Sequence, residues 1–277
     1  MISFPNCKIN LGLNIIRKRT DGFHDLETIF YPIRIFDVLE IIPAGDIAPE
    51  HNDVSFTATG RSIEGDKENN LCISAYYSLK KDFPLLPAVQ MHLHKTIPLG
   101  AGLGGGSADA SFTLKLLDKT FDLQLTDKQL IEYSGGLGSD CPFFVINKPC
   151  FASGTGEILE PVDIDLGRYQ LMLINPGIHI HTGKAFGQVT PALPKRPVKE
   201  IIQLPVSEWK NELINDFEIP VFKQHPEIAK IKDELYNAGA IYASMSGSGS
   251  TVYGIFEKDR DIEVAFPGHY FITTIAT

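Results

Sequence analysis

The run Pro98-Leu99-Gly100-Ala101-Gly102-Leu103-Gly104-Gly105-Gly106-Ser107-Ala108 constrains this chain more than any other stretch. Five of the seven residues from Gly100 to Gly106 are glycine, and Ala108, Phe112 and Leu116 then recur at helical spacing. Glycine admits positive φ and lets a ligand come close to the backbone, because no Cβ intervenes. Such a loop running into a helix aims several N–H groups and the positive helix end at one spot, a seat for phosphate. A flexible linker is the competing reading, but Pro98 and Leu99 bound the run on one side and a helix on the other. The Lys-Ser/Thr ending of a Walker A loop is missing. Gly100-x-Gly102-x-x-Gly105 satisfies the dinucleotide pattern, so an oxidoreductase of Rossmann type is an alternative. That alternative wants a buried first strand and an acidic residue about 20 positions on. Here the preceding strand, Val89 to Lys95, alternates apolar and polar, and Asp118 and Asp122 do not end a second strand.

At 277 residues the chain holds one large or two ordinary domains, and 43% apolar with 21% charged residues fits a soluble globular protein. A net charge of −9 argues against nucleic acid or an anionic membrane as partner. An anionic small molecule would need local cations, which Arg17-Lys18-Arg19 and Lys95 offer, although the former reads equally as a solvated turn. Cys7, Cys72, Cys141 and Cys150 show neither metal nor disulfide spacing. With no leader or membrane-spanning run evident, a cytoplasmic location and a monomer or weak homodimer are expected.

From Cys7 to Ile15 apolar and polar residues alternate, predicting a half-buried strand with Lys8 and Asn10 on its non-core face. Asn69-Asn70 caps a helix through Leu71, Ala75 and Leu79, and Thr126 caps another that ends at Gly135-Gly136. Later, Leu171 to Asn175 reads as a buried strand. Pro191 to Pro197 reads as a loop, Pro226 to Gly239 as a helix and Thr251 to Phe256 as a strand. The fold class is α+β with antiparallel strands, in two domains, 1–150 and 151–277.

Three blocks stand in order: Pro5-Asn6-Cys7-Lys8-Ile9-Asn10-Leu11, the glycine loop, and Met245-Ser246-Gly247-Ser248-Gly249. Together they resemble the GHMP family of small-molecule kinases. Further blocks narrow the likeness: Arg19-Thr20-Asp21-Gly22-Phe23-His24, Gly138-Ser139-Asp140-Cys141-Pro142-Phe143-Phe144 and Asn215-Asp216-Phe217-Glu218. They resemble the branch that phosphorylates the 2-hydroxyl of a cytidine diphosphate-linked methylerythritol, on the methylerythritol phosphate route to isoprenoids. The resemblance implies two α+β domains with the site in the cleft between them, ATP as donor, and Mg2+. Another acceptor alcohol within the same family is the alternative.

By this resemblance Asp140 is the general base and Lys8 sits beside it. The competing readings are a helix cap for Asp140 and an exposed strand lysine for Lys8. ATP falls to Asn70, Lys95, Pro98, Leu99, Gly100, Ala101, Gly102, Leu103, Gly104, Gly105, Gly106, Ser107 and Ala108. Ser107 is the candidate Mg2+ ligand, or a plain helix cap. Asn10, Phe23, His24, Thr182 and Phe186 are assigned to the acceptor, with Phe23 stacking on cytosine and His24 bonding its edge. Phe23 stands where the branch usually has tyrosine, and core packing competes for Phe186. Cys7 and Cys141 flank the catalytic pair, which predicts inhibition by thiol reagents. His179 and His181 share a strand face but want a third metal ligand, so surface histidines are expected.

Overall fold

The structure is a computed structural model that describes residues 1–45, 53–63 and 69–276. In chain order the elements begin with β1 (Ile2–Ser3), β2 (Asn6–Lys18), β3 (His24–Phe36), β4 (Val38–Pro43), β5 (Val54–Gly60) and α1 (Leu71–Asp82). Next come β6 (Val89–Lys95), α2 (Gly105–Phe121), α3 (Asp127–Gly135), α4 (Cys141–Ile146), β7 (Cys150–Ser153), β8 (Ile158–Pro161) and β9 (Tyr169–Asn175). The chain closes with α5 (Thr182–Phe186), α6 (Val198–Ile201), α7 (Glu218–Gln224), α8 (Pro226–Asn237), β10 (Tyr242–Met245), β11 (Val252–Glu257) and β12 (Phe271–Ala276).

Two compact units emerge. One comprises 1–7, 35–99 and 104–148; the other comprises 8–34, 100–103 and 149–277. They are not the contiguous halves 1–150 and 151–277, because residues 8–34 and the middle of the glycine loop pack with the later part of the chain.

The first unit is built on a mixed sheet ordered β1-β4-β6-β5, with β4 antiparallel and β5 parallel to β6. Period-two alternation turns Leu39, Ile41, Met91 and Leu93 to one face, in register as Leu39 opposite Leu93 and Ile41 opposite Met91. Cys72, Ala75, Tyr76 and Leu79 of α1, with Leu114 and Leu117 of α2, bury against them. Asn70 caps α1 by accepting the Cys72 N–H at 2.9 Å, and Thr126 with Gln129 forms a capping box on α3. The antiparallel partner of β6 excludes the all-parallel βαβ sheet that a Rossmann oxidoreductase requires.

The second unit holds two four-stranded sheets, β10-β11-β9-β12 and β2-β3-β7-β8. The first is antiparallel throughout, and Ile228, Ile231 and Leu235 of α8 pack with Met172, Ile174, Val252 and Phe256. The expectation of a half-buried β2 is corrected, since residues 6–15 are buried on both faces. The polar face is covered because it is satisfied: the Asn10 carboxamide donates to Thr28 Oγ1 at 3.0 Å. A buried polar group left unpaired would cost about 1–3 kcal/mol.

Candidate active site

In the first unit, β6 leads to the glycine loop and α2 begins at Gly105, three residues earlier than the apolar stripe suggests. Its N-cap is Gly104 in the left-handed region (φ 68°), so Ser107 lies inside the first turn and does not cap the helix. Gly105 itself is helical. A Cβ there would meet Ile97 Cγ2 at 2.9 Å and Lys95 Nζ at 3.1 Å. Space, not positive φ, demands glycine at that position.

Below this turn lies a buried ion triad that sequence reasoning only half found. Lys95, 1% exposed, donates to Asp37 Oδ2 at 2.5 Å and to Asp109 Oδ2 at 2.6 Å. Asp37 Oδ1 also accepts the N–H groups of Thr96 at 2.6 Å and Ile97 at 2.9 Å, which fixes the entry to the glycine loop. Burial pushes the Asp109 carboxyl up to about 7, against the pull of the Lys95 ammonium, and its Oδ1 is a buried acceptor with no partner among the described residues. The two carboxylates hold the Lys95 ammonium charged and raise its pKa against the opposing effect of burial. Asn70, Lys95, Gly106 and Asp109 line a cavity of about 520 Å³, together with Leu71 and Leu99.

At the start of α4, Pro142 occupies the first turn, as its fixed φ favours. Asp140 stands at the N-cap position, half-buried, but its side chain makes no capping bond. The cap reading therefore does not account for this carboxylate. Next to it, burial pushes the Cys141 thiol up to about 11, against hydrogen bonds from Ser107 and Ser111. Cys7 and Cys141 are both fully buried, so the expected inhibition by thiol reagents is corrected: a fully buried thiol is closed to a reagent in solution.

In the second unit, Lys8 is not an exposed strand lysine. It is 3% exposed, and its ammonium donates to Asn10 Oδ1 at 2.5 Å and to the Gly102 carbonyl at 3.2 Å, with the Phe30 ring 5.0 Å away. The Lys8 backbone N–H bonds the Leu103 carbonyl at 3.0 Å, so β2 carries the middle of the glycine loop alongside it. Gly102 (φ 76°) is a position of close approach, since a Cβ would overlap the Ser246 carbonyl. The Ser246 hydroxyl in turn donates to the Gly102 carbonyl at 2.8 Å.

The turn before β3 is tightly drawn. Asp21 accepts the Phe23 N–H at 3.0 Å and pairs with Arg19 at 2.8 Å, and these bonds hold its carboxyl below the usual aspartate value. Phe23 is left 64% exposed. The ring stacked against His24 is Phe186, at 5.1 Å and 20°, and Phe186 meets Phe217 edge-on at 4.9 Å. Phe186 thus has one side on the core and one on His24. The Thr182 and Ser248 hydroxyls are 2.9 Å apart. His179 and His181 are exposed on the surface, their rings 6.1 Å apart.

Sequence reasoning missed Asp37, Asp109, Thr28 and Ser246. Ser246 lies within the Met245–Gly249 motif, and Asp109 directly follows Ala108 at the end of the glycine loop. Asp37 carried no local signal.

A mixed sheet, a glycine loop opening a helix and a second glycine loop at 245–249 define the class. Residues 70–148 match the GHMP kinases N terminal domain and residues 193–266 the GHMP kinases C terminal. The chain is 52% identical over 271 residues to 4-diphosphocytidyl-2-C-methyl-D-erythritol kinase of Bacteroides fragilis, covering 96% of this chain and 97% of that one. A crystal structure of 4-(cytidine 5'-diphospho)-2C-methyl-D-erythritol kinase superposes with a TM-score of 0.76 at 29% identity, over 92% of this chain and 90% of the other. The Methanococcus jannaschii mevalonate kinase shares the fold, with a TM-score of 0.69 at 12% identity over 100% and 98%. This chain belongs to the 4-diphosphocytidyl-2-C-methyl-D-erythritol kinase family of GHMP kinases, and it is an ATP-dependent phosphotransferase.

Proposed function

We propose that this enzyme transfers the terminal phosphoryl group of ATP to the 2-hydroxyl of 4-diphosphocytidyl-2-C-methyl-D-erythritol, with Mg2+, in the cytoplasm. The observation that carries the reading is near-full-length identity to named kinases together with a buried lysine bonded to the glycine loop. Phosphoryl transfer is catalysed by positioning and charge stabilisation. The loop from Pro98 to Ala108 supplies backbone N–H groups and a helix N-terminus for the ATP phosphates. Asn70 and Lys95, on the cavity wall, face the rest of the nucleotide.

Asp140 takes the proton from the 2-hydroxyl as that oxygen bonds to phosphorus and the bond to the leaving ADP oxygen breaks. Lys8 offsets the negative charge gathering on the attacking oxygen. For Mg2+, the half-buried Ser107 hydroxyl is an oxygen donor of the kind this hard ion accepts, in the first turn of α2. The ion, when bound, neutralises charge on the β- and γ-phosphates. Phe23 offers a ring face to cytosine, His24, backed by the Phe186 ring, a bond to its edge, and Asn10 and Thr182 polar contacts to the acceptor.

The test is to incubate purified protein with MgATP and the cytidine-linked acceptor, homoserine or mevalonate. Phosphorylation of the first alone is expected. Transfer only to another alcohol would leave a GHMP kinase of different acceptor.

A further inference from the structure

The block Asn215-Asp216-Phe217-Glu218 has no part in the mechanism above, yet it is tied into the site through a closed circuit of bonds. The circuit starts on β2. Leu13 N–H donates to the Ile214 carbonyl at 2.8 Å, and Ile15 N–H donates to Asp216 Oδ2 at 2.7 Å. Asn215, 1% exposed, spends its whole side chain: Oδ1 accepts the Phe217 N–H at 3.0 Å, and Nδ2 donates to the carbonyls of Met245 at 2.7 Å and Gly247 at 2.9 Å. Glu218 holds the entry to the same loop. Its Oε1 accepts the Met245 N–H at 2.8 Å and the Ser244 hydroxyl at 3.0 Å, while Oε2 pairs with Lys232 at 2.6 Å.

From this loop Ser246 Oγ reaches the Gly102 carbonyl at 2.8 Å, and that carbonyl also receives the Lys8 ammonium, back on β2. Asn10 N–H donates to Ser246 Oγ at 3.2 Å, closing the ring a second time. A carboxamide is the side chain that suits the 215 position. It offers two donors to two carbonyls and one acceptor to a backbone N–H. Gly247 (φ 55°) leaves no slack, because a Cβ there would lie 3.2 Å from both Gly102 Cα and its carbonyl oxygen.

We infer that Asn215 and Glu218 are positioning residues for phosphoryl transfer, setting the 245–249 loop so that Ser246 fixes the Gly102 carbonyl and, through it, the Lys8 ammonium. The inference rests on the kinase reading above. Its effect falls mainly on turnover, since the circuit ends on the Gly102 carbonyl that holds the Lys8 ammonium.

The test is a double-mutant cycle on the full-length enzyme with Asn215→Asp, Ser246→Ala and the pair. Asn215→Asp keeps volume but turns an oxygen toward two carbonyls. A lowering of kcat by about tenfold to a hundredfold, the scale of a small misplacement of reacting groups, is expected, larger than any rise in acceptor KM. The pair should lose no more than the worse single variant, because both act through Gly102. Multiplying losses, or a lowered Tm with kcat intact, would overturn the inference. Should Asn215→Asp fail to fold, Glu218→Gln carries the test. It keeps an acceptor for Met245 N–H and loses the Lys232 pair, so a severalfold fall in kcat, larger than any rise in acceptor KM, supports the inference, and unchanged kcat overturns it. Wild-type protein inactive on the acceptor would instead defeat the kinase reading.

Discussion

Two strand lysines, Lys8 and Lys95, are almost equally buried and both touch the glycine loop or its entry, yet their surroundings differ in kind. Lys95 sits between two carboxylates, and one of these, Asp37, also holds the backbone at Thr96 and Ile97. Its charge is consumed in architecture. Lys8 donates to an amide oxygen and to the carbonyl of Gly102, so its ammonium is held by the very loop assigned to the phosphates. The difference teaches that burial of a lysine beside a phosphate loop does not define its role. What the ammonium is bonded to does. A cation clamped by two buried carboxylates is locked in place by charge, whereas one bonded to the carbonyl of a phosphate loop is placed where negative charge develops.

The first way to break this contrast is at the base. Asp140→Asn should lower kcat by about a hundredfold to ten-thousandfold, the usual worth of a general base, with ATP affinity retained by calorimetry. Unchanged turnover at saturating substrates would remove Asp140 from the mechanism. At Lys95 the expected loss is of stability. Lys95→Met leaves Asp37 and Asp109 buried without their counter-charge, which should cost about 3–5 kcal/mol in urea denaturation. A variant as stable as wild type would contradict the architectural role given to the Lys95 ammonium.

Smaller effects are expected at the acceptor block. Phe23→Leu should weaken acceptor binding by about 1–3 kcal/mol, one aromatic–base stack, and Phe23→Tyr should be nearly silent. Because Phe186 already stacks on His24, Phe186→Leu should match Phe23→Leu in acceptor KM, with ATP KM unmoved in both. A change confined to ATP KM would remove this block from cytidine recognition.

The weakest expected signal is the titration of the triad. Asp109 lies near 7 in the folded chain against an ordinary value of 3.8. Between those values the folded chain holds a proton the unfolded chain has released, so this group's contribution to stability falls as pH rises through the window. Asp109→Asn removes the titration. Wild-type stability measured relative to that variant should therefore decline from about pH 5 to about pH 8. A flat difference over the same range would mean that Asp109 stays ionised in the folded chain.

Local chemistry was readable where it depends on near neighbours. The Asn70 cap, the Thr126 capping box, the Pro226 start of α8 and the helix opening at the glycine loop all follow from residues within a few positions. The Lys95 triad was not readable, because Asp37 comes from 58 positions earlier and only the register of β4 on β6 brings it close. Likewise, alternation along β2 predicted a wet face for Lys8 and Asn10. That face is buried because Thr28, Gly102 and Ser246, distant in sequence, satisfy it. Glycine identity at Gly104 and Gly105 was evident, but that one answers to backbone φ and the other to space emerges only from the packed structure.

The measurement that bears most directly on the contrast is the steady-state turnover of Lys8→Met with saturating MgATP and the cytidine-linked acceptor. It should be made on protein whose thermal midpoint has been compared with wild type. If Lys8 acts in the transfer itself, kcat falls by about a hundredfold or more while both KM values and the midpoint stay close to wild type. If instead kcat is retained and the midpoint drops sharply, Lys8 is a structural cation like Lys95, and the distinction drawn between them is wrong.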